Sequence, residues 1–160
     1  EVQKVYLQLP DQKKRYYDLV AHHDSVTIVP VDRDGNIWLV SQYRLGVDDQ
    51  LLELPAGVLE AGEDPKEGAM REIREEIGMA GHELKLIGDF YLAPGYSSEH
   101  MYVYLATELY PSTLDPDSDE FLKIHKISIS EVMQMAEKGE IKDSKTLASL
   151  LLARSQLLTE

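Results

Sequence analysis

Apolar and polar positions alternate loosely over residues 2–9 and 16–20, with Pro10-Asp11-Gln12-Lys13 between the two runs. A period of two on either side of a proline-containing polar step predicts a β-hairpin. Residues 26–31 and 37–40 are apolar, β-branched runs joined by Asp32-Arg33-Asp34-Gly35-Asn36. Their Asp-Gly turn chemistry predicts a second hairpin. Residues 51–54 predict a short strand stopped by Pro55. From residue 65 to 77 the period becomes helical, with Ala69, Ile73 and Ile77 recurring every four residues and Met70 beside them. Asp64 suits the N-cap, Pro65 the first turn, Glu67 the far side of a capping box, and Gly78 the stop. Residues 84–91, 101–109 and 121–129 predict further strands. Two closing helices fit residues 130–138 and 144–158, each starting at a serine cap. The order predicts an α+β domain, with strands on both sides of one early helix and helices at the end.

Length and charge narrow the class. A chain of 160 residues is long enough to bury one continuous core, so residues 1–160 read as one domain. Its apolar share is 43 %, yet no apolar run approaches the ~18–20 residues of a membrane span. The opening Glu1-Val2-Gln3-Lys4-Val5 resembles a strand and carries no secretory pattern. The chain starts without an initiator methionine, which implies residues before Glu1. The absence of cysteine excludes disulfides and thiolate metal sites and fits a reducing cytoplasm. A formal net charge of −13 argues against nucleic acid as a partner, because its backbone is bound through Lys and Arg. A phosphate ligand on so acidic a protein would need recruited cations.

The acidity is densest in residues 57–79, which read GVLEAGEDPKEGAMREIREEIGM. Glu72, Glu75 and Glu76 stand at spacings of three and four on one helical face. Like charges so placed repel by a few tenths (~0.2–0.5) of a kcal/mol per pair. Hard divalent cations with oxygen ligands would relieve this, Mg²⁺ first and Mn²⁺ second. The opposite face, Ala69, Ile73 and Ile77, is suited to packing into the core. A solvated acidic face is the usual fate of such a helix. Here Gly57, Glu63, Arg71, Glu72, Ile73, Glu75, Glu76, Gly78 and Met79 also hold fixed positions. Average residue usage puts a chance match of all of them below about one in a million, so the solvated-face reading is set aside.

This constellation is the complete Nudix box without departures, and the chain resembles the Nudix hydrolase family. The resemblance implies an α/β/α sandwich with a mixed central sheet, and a metal-dependent pyrophosphatase. It implies that Glu72, Glu75, Glu76 and the backbone carbonyl of Ala56 hold the metal. Glu76 is thereby placed in the catalytic machinery, and Arg71 and Glu63 serve as struts that orient the carboxylates.

The remaining chain resembles the ADP-ribose pyrophosphatase branch. Pro94 follows Met79 by fifteen residues and sits in Tyr91-Leu92-Ala93-Pro94-Gly95-Tyr96-Ser97-Ser98-Glu99. Pro-Gly alone predicts a turn, and the branch adds substrate contact by Pro94, Gly95 and Ser97. Gln42-Tyr43-Arg44 matches a Gln-aromatic-Arg whose arginine reaches the substrate phosphates. Glu53-Leu54-Pro55-Ala56-Gly57 matches the branch's entry to the box, with Glu53 at the substrate site. Residues 115–121 match an acidic loop that carries the general base, assigned to Glu120 at the Glu-Phe step, with Asp119 as fallback. The implied reaction takes ADP-ribose to AMP and ribose 5-phosphate. GDP-mannose or ADP-glucose is the alternative substrate, and a non-catalytic ADP-ribose sensor is the minor one. Triphosphate cleansing leaves the Pro94 and Glu120 features unexplained, and RNA decapping lacks a basic stripe.

Relatives also imply a homodimer to which residues 1–22 contribute, alongside the substrate site. Tyr6, Tyr16 and Tyr17 offer stacking surfaces or simple packing. Trp38 reads as core, and His22 and His23 as strand-end residues. Base, sugar and number of metals stay open from sequence.

Overall fold

The computed structural model describes residues 1–115 and 121–158. The N-terminal hairpin forms as expected. β1 (Val2–Gln8) pairs antiparallel with β2 (Lys14–Val20), and both strands are largely exposed. Four strands then lead to the early helix. β3 (Ser25–Pro30) is wholly buried, while β4 (Asn36–Arg44) and β5 (Asp49–Glu53) pair antiparallel. β6 (Ala56–Val58) returns to pair antiparallel with β3.

The helix α1 (Pro65–Ile77) has the predicted limits for the predicted reasons. Asp64 accepts from the amides of Lys66 and Glu67, Pro65 occupies the first turn, and Gly78 adopts φ 67° to end it. That left-handed backbone costs glycine nothing and most other residues about 1 kcal/mol. β7 (Met79–Tyr91) and β8 (His100–Pro111) form a long antiparallel pair, followed by β9 (Lys123–Ser128). α2 (Ile129–Glu137) and α3 (Ser144–Leu157) close the chain.

The strands make a four-stranded mixed sheet, β6-β3-β8-β7, in which β3 and β8 run parallel, and a three-stranded antiparallel sheet, β5-β4-β9. Alternation along the buried strands sends side chains to two cores. Val26 and Ile28, Trp38 and Val40, Tyr104 and Ala106 pack with Ala69, Ile73 and Ile77 of α1. Their neighbours Val29, Ile37, Leu39, Val103 and Leu105 pack with Val132, Leu150 and Ala153 of α2 and α3. Helix on both faces of strand layers is the α/β/α sandwich. Each fully buried aliphatic side chain, such as Ile73, contributes about 1.5–3 kcal/mol.

Two expectations are corrected. The Asp32–Asn36 segment does turn, because the Asp32 carboxylate accepts from the amides of Asp34 and Asn36 and from Trp38 Nε1. The strands it joins, however, form a single bridge at Val31 and Ile37 and then enter different sheets. Both edges of β3 are taken by β6 and β8, so β4 finds its partners elsewhere. Nor do the expected serines cap the closing helices. Ser128 caps α2, two residues before Ser130, and Asp143 caps α3 by accepting from the Thr146 amide. Among the described residues no helix is long and apolar enough to cross a membrane.

Candidate active site

The box loop meets α1 through two close contacts. A Cβ placed on Gly57 would overlap the Glu72 carboxylate, so a larger residue there must displace that side chain from where the loop now lies on it. One residue earlier, the Ala56 amide donates to Glu76 Oε2 at 3.2 Å. Glu72 and Glu76 are 6 % and 5 % exposed. We predict that Gly57→Ala displaces Glu72 and costs about 1–3 kcal/mol of stability, the range for overpacking a filled site. Urea unfolding reads this directly, and an unchanged midpoint would mean that Glu72 has room to move.

Arg71 ties the cluster together. Its Nε and Nη2 donate to both Glu63 oxygens at 2.9 and 3.0 Å, and Nη1 donates to Glu72 at 2.7 Å and Glu75 at 2.9 Å. Nη2 also donates to the Val58 carbonyl at 3.2 Å, which fastens the loop to the helix. The hydrogen bonds to Glu63 push the guanidinium further above its ordinary value, against the opposing effect of burial. The same bonds hold the Glu63 carboxyl below the usual carboxylate range. The strut roles expected for Arg71 and Glu63 match this geometry.

The donor set suits a hard divalent ion: three carboxylates on one helix, two of them largely withdrawn from water, beside a backbone turn. Among the described residues no three His, Cys, Asp or Glu side chains are gathered closely enough to hold a metal ion by themselves.

Arg44 forms the second pole. At the end of β4 it grips Glu53 in bidentate fashion, Nε to Oε1 at 2.8 Å and Nη2 to Oε2 at 2.6 Å. The register of β4 with β5 sets Arg44 opposite Asp49 and Glu53 opposite Val40, so the two share one sheet face and the long arginine side chain spans the distance along it. Glu53 also binds Lys145 Nζ, and Lys145 lies 3.1 Å from Asp143. Burial pushes the Glu53 carboxyl up, but the hydrogen bonds from Arg44 and the charge of Lys145 outweigh it and hold it below the ordinary range. The bond to Glu53 correspondingly raises Arg44.

A third wall comes from the loop between β7 and β8. The amides of Tyr96 and Ser97 both donate to the Ala93 carbonyl, while Val20 donates its amide to the Tyr96 carbonyl and accepts from the Ser98 amide. The Ser98 hydroxyl accepts from the His22 amide and donates to the His22 carbonyl. The root of the N-terminal hairpin is therefore fastened to the Pro94 turn. Nearby, Ser25 Oγ donates to Glu99 at 3.0 Å.

These elements border one cleft of about 580 Å³, lined by Arg44, Glu53, Ala56, Gly57, Ser97 and Lys145 among others. The volume lies in the range of small-molecule sites. Of the residues expected from sequence, Arg44, Glu53, Ala56 and Ser97 line it directly. Glu72 and Glu76 lie behind Gly57 and Ala56, and Glu75 is held through Arg71. Pro94 and Gly95 are exposed turn residues that shape the wall without forming it. Glu120 and Asp119 lie outside the described residues. Tyr6, Tyr16 and Tyr17 are exposed on the hairpin, with the Tyr6 and Tyr16 rings 4.6 Å apart. His22 is a wall residue of the cleft, beyond the strand-end role read for it. Sequence reading passed over Lys145 and Asp143, since a lysine at the start of a helix carries no local sign of burial.

The NUDIX domain family model matches residues 21–150. The ADP-ribose pyrophosphatase of Bacillus subtilis (strain 168) is 35 % identical over 144 residues, covering 88 % of this chain and 77 % of that protein. The methanol dehydrogenase activator of Bacillus methanolicus is 30 % identical over 146 residues, covering 90 % and 79 %. A crystal structure of an ADP compounds hydrolase superposes with a TM-score of 0.87 at 28 % identity, covering 98 % of this chain and 85 % of that one. The chain belongs to the Nudix family.

Proposed function

We propose that this protein hydrolyses the pyrophosphate bond of a nucleoside diphosphate sugar, with ADP-ribose as the preferred substrate. The observation that carries this reading is the shared cleft, where the Arg44 guanidinium and the carboxylate-backed loop Ala56-Gly57 border one cavity. Glu72, Glu75, Glu76 and the Ala56 carbonyl are the groups that would hold divalent ions, Mg²⁺ or Mn²⁺. A bound ion would neutralise the pyrophosphate, lower the pKa of water and stabilise charge developing in the transition state. Arg44 orients a phosphate, and Ser97, with the Pro94-Gly95 turn, positions the sugar side. Glu120 takes a proton from the attacking water. The water oxygen bonds to one phosphorus, the bridging P–O bond breaks, and the bridging oxygen leaves with the other phosphate. For ADP-ribose the products are AMP and ribose 5-phosphate.

A homodimer built through residues 1–22 accompanies this reading. The hairpin exposes Val2, Tyr6, Leu7, Tyr16 and Tyr17. Lys4, Lys13, Lys14 and Arg15 against Glu1, Asp11 and Asp18 give residues 1–20 a formal +1, leaving −14 of the total −13 on the remainder. A cationic, apolar hairpin suits docking on the acidic body of a second copy. Sedimentation of the intact chain as a monomer at assay concentration would end the dimer proposal.

The deciding test is a Mg²⁺-dependent panel of ADP-ribose, GDP-mannose, ADP-glucose, UDP-glucose, NADH and dGTP, ranked by kcat/KM. A lead for ADP-ribose is expected. A lead for a hexose compound would keep the chemistry and replace the substrate. No turnover of any compound would leave a binding module in place of an enzyme.

A further inference from the structure

Arg44 is asked to meet a phosphate, yet it is already bound at two points to the buried carboxylate of Glu53. A guanidinium wholly neutralised by one carboxylate would offer a polyanion little net attraction. The structure holds a second cation on that carboxylate. Lys145 enters from the start of α3, its side chain 8 % exposed, and binds Glu53 Oε2. Glu53 itself is 1 % exposed, whereas 41 % of the Arg44 side chain remains accessible. Asp143 also touches Lys145, but its Oδ2 is shared with the Thr146 amide and hydroxyl at 2.9 and 2.6 Å. The Thr146 hydroxyl accepts in turn from the Leu54 amide at 2.9 Å, which locks α3 to the strand that carries Glu53.

We propose that Lys145 is a positioning residue that balances the charge of Glu53, so that the Arg44 guanidinium is free to bind a substrate phosphate. Arg44, Glu53 and Lys145 together carry one net positive charge. Counted with Asp143, which lies 3.1 Å from Lys145, the set is neutral; without Lys145 it is net negative, which disfavours a pyrophosphate at a few ångströms. Glu53 would also be held by Arg44 alone, drawing the guanidinium inward. Lys145 acts through Glu53, whose carboxylate it shares with Arg44. This inference rests on the phosphate-binding role given to Arg44 above.

The test measures binding, not turnover, with the methylene-bridged analogue of ADP-ribose, whose P–C–P link resists hydrolysis. Calorimetry with Mg²⁺ compares wild type, Lys145→Met, Lys145→Arg, Arg44→Gln and the Arg44→Gln/Lys145→Met double variant. Lys145→Met is expected to weaken binding about ten- to a hundredfold, the range seen for groups one step behind a metal ligand. Lys145→Arg restores it to within about threefold. In the Arg44→Gln background, loss of Lys145 has little further effect, because the two act as one unit. A purely structural lysine would lower Tm and leave Kd unchanged, and that result overturns the proposal. So does an equal loss in the Arg44→Gln background, or failure of the wild type to bind. If Lys145→Met does not fold, Lys145→Gln carries the same expectation. Analogue binding without hydrolysis of ADP-ribose would sink the proposed reaction and spare this inference. Hydrolysis with an unchanged Kd in Lys145→Met would do the reverse.

Discussion

Glu76→Gln is expected to lower Mg²⁺-dependent turnover by on the order of 10²–10³, the scale of removing one preorganised electrostatic group from an active site. The argument begins with shape. Glutamine keeps the length of glutamate and an acceptor oxygen, so the Ala56 amide keeps the bond it now makes at 3.2 Å. The loop stays on α1, with Gly57 still lying on Glu72. What disappears is a charge on a side chain only 5 % exposed. Burying a neutral amide costs less than burying a carboxylate, so the fold is not expected to weaken. Activity and stability should therefore separate. The check is the rate across a Mg²⁺ titration together with the urea midpoint. A wild-type rate at every Mg²⁺ concentration would remove Glu76 from the machinery. A parallel collapse of the midpoint would make it a structural residue.

The parts legible in sequence were those fixed by local chemistry. Asp64, Pro65 and Gly78 each act within a turn of their own position, so α1 could be bounded without knowing its surroundings. The carboxylate spacing on α1 is likewise a property of one helix. Partners distant in sequence were not legible. Nothing in residues 26–40 says that β3 will be sealed on both edges by β6 and β8, so the Asp-Gly turn suggested a pairing that does not form. The start of β7 was missed because Met79–Gly81 follows the helix directly and lacks strand-like alternation, while pairing with β8 orders it. Lys145 illustrates the same limit within the site. Its partner Glu53 lies 92 residues away, and only the docking of α3 on the strand layer turns a helix-start lysine into a buried one.

That buried pairing should also be visible in stability. Glu53→Gln leaves two cations, Arg44 and Lys145, facing an uncharged side chain that can accept from one but not satisfy both. Removing one partner from a buried ion pair costs roughly 3–5 kcal/mol. The lower end applies here, because Arg44 is 41 % exposed and screened by water, and Lys145 keeps Asp143 at 3.1 Å. About 3 kcal/mol corresponds to a fall in Tm of roughly 6–12 °C for a domain of this size. The pH dependence gives a sharper signature. The Glu53 carboxyl is held below its ordinary range when folded, so in the window between the two values the unfolded chain binds more protons. Stability then rises with pH, and the Glu53 contribution is complete above about 4.3, the ordinary glutamate value. It is lost as pH falls through the folded value. The glutamine variant has no such group to titrate. Urea midpoints of the two proteins should therefore differ most near neutrality and draw together in acid. Curves that stay parallel from pH 7 to well below 4 would show that Glu53 contributes packing and not charge to the fold.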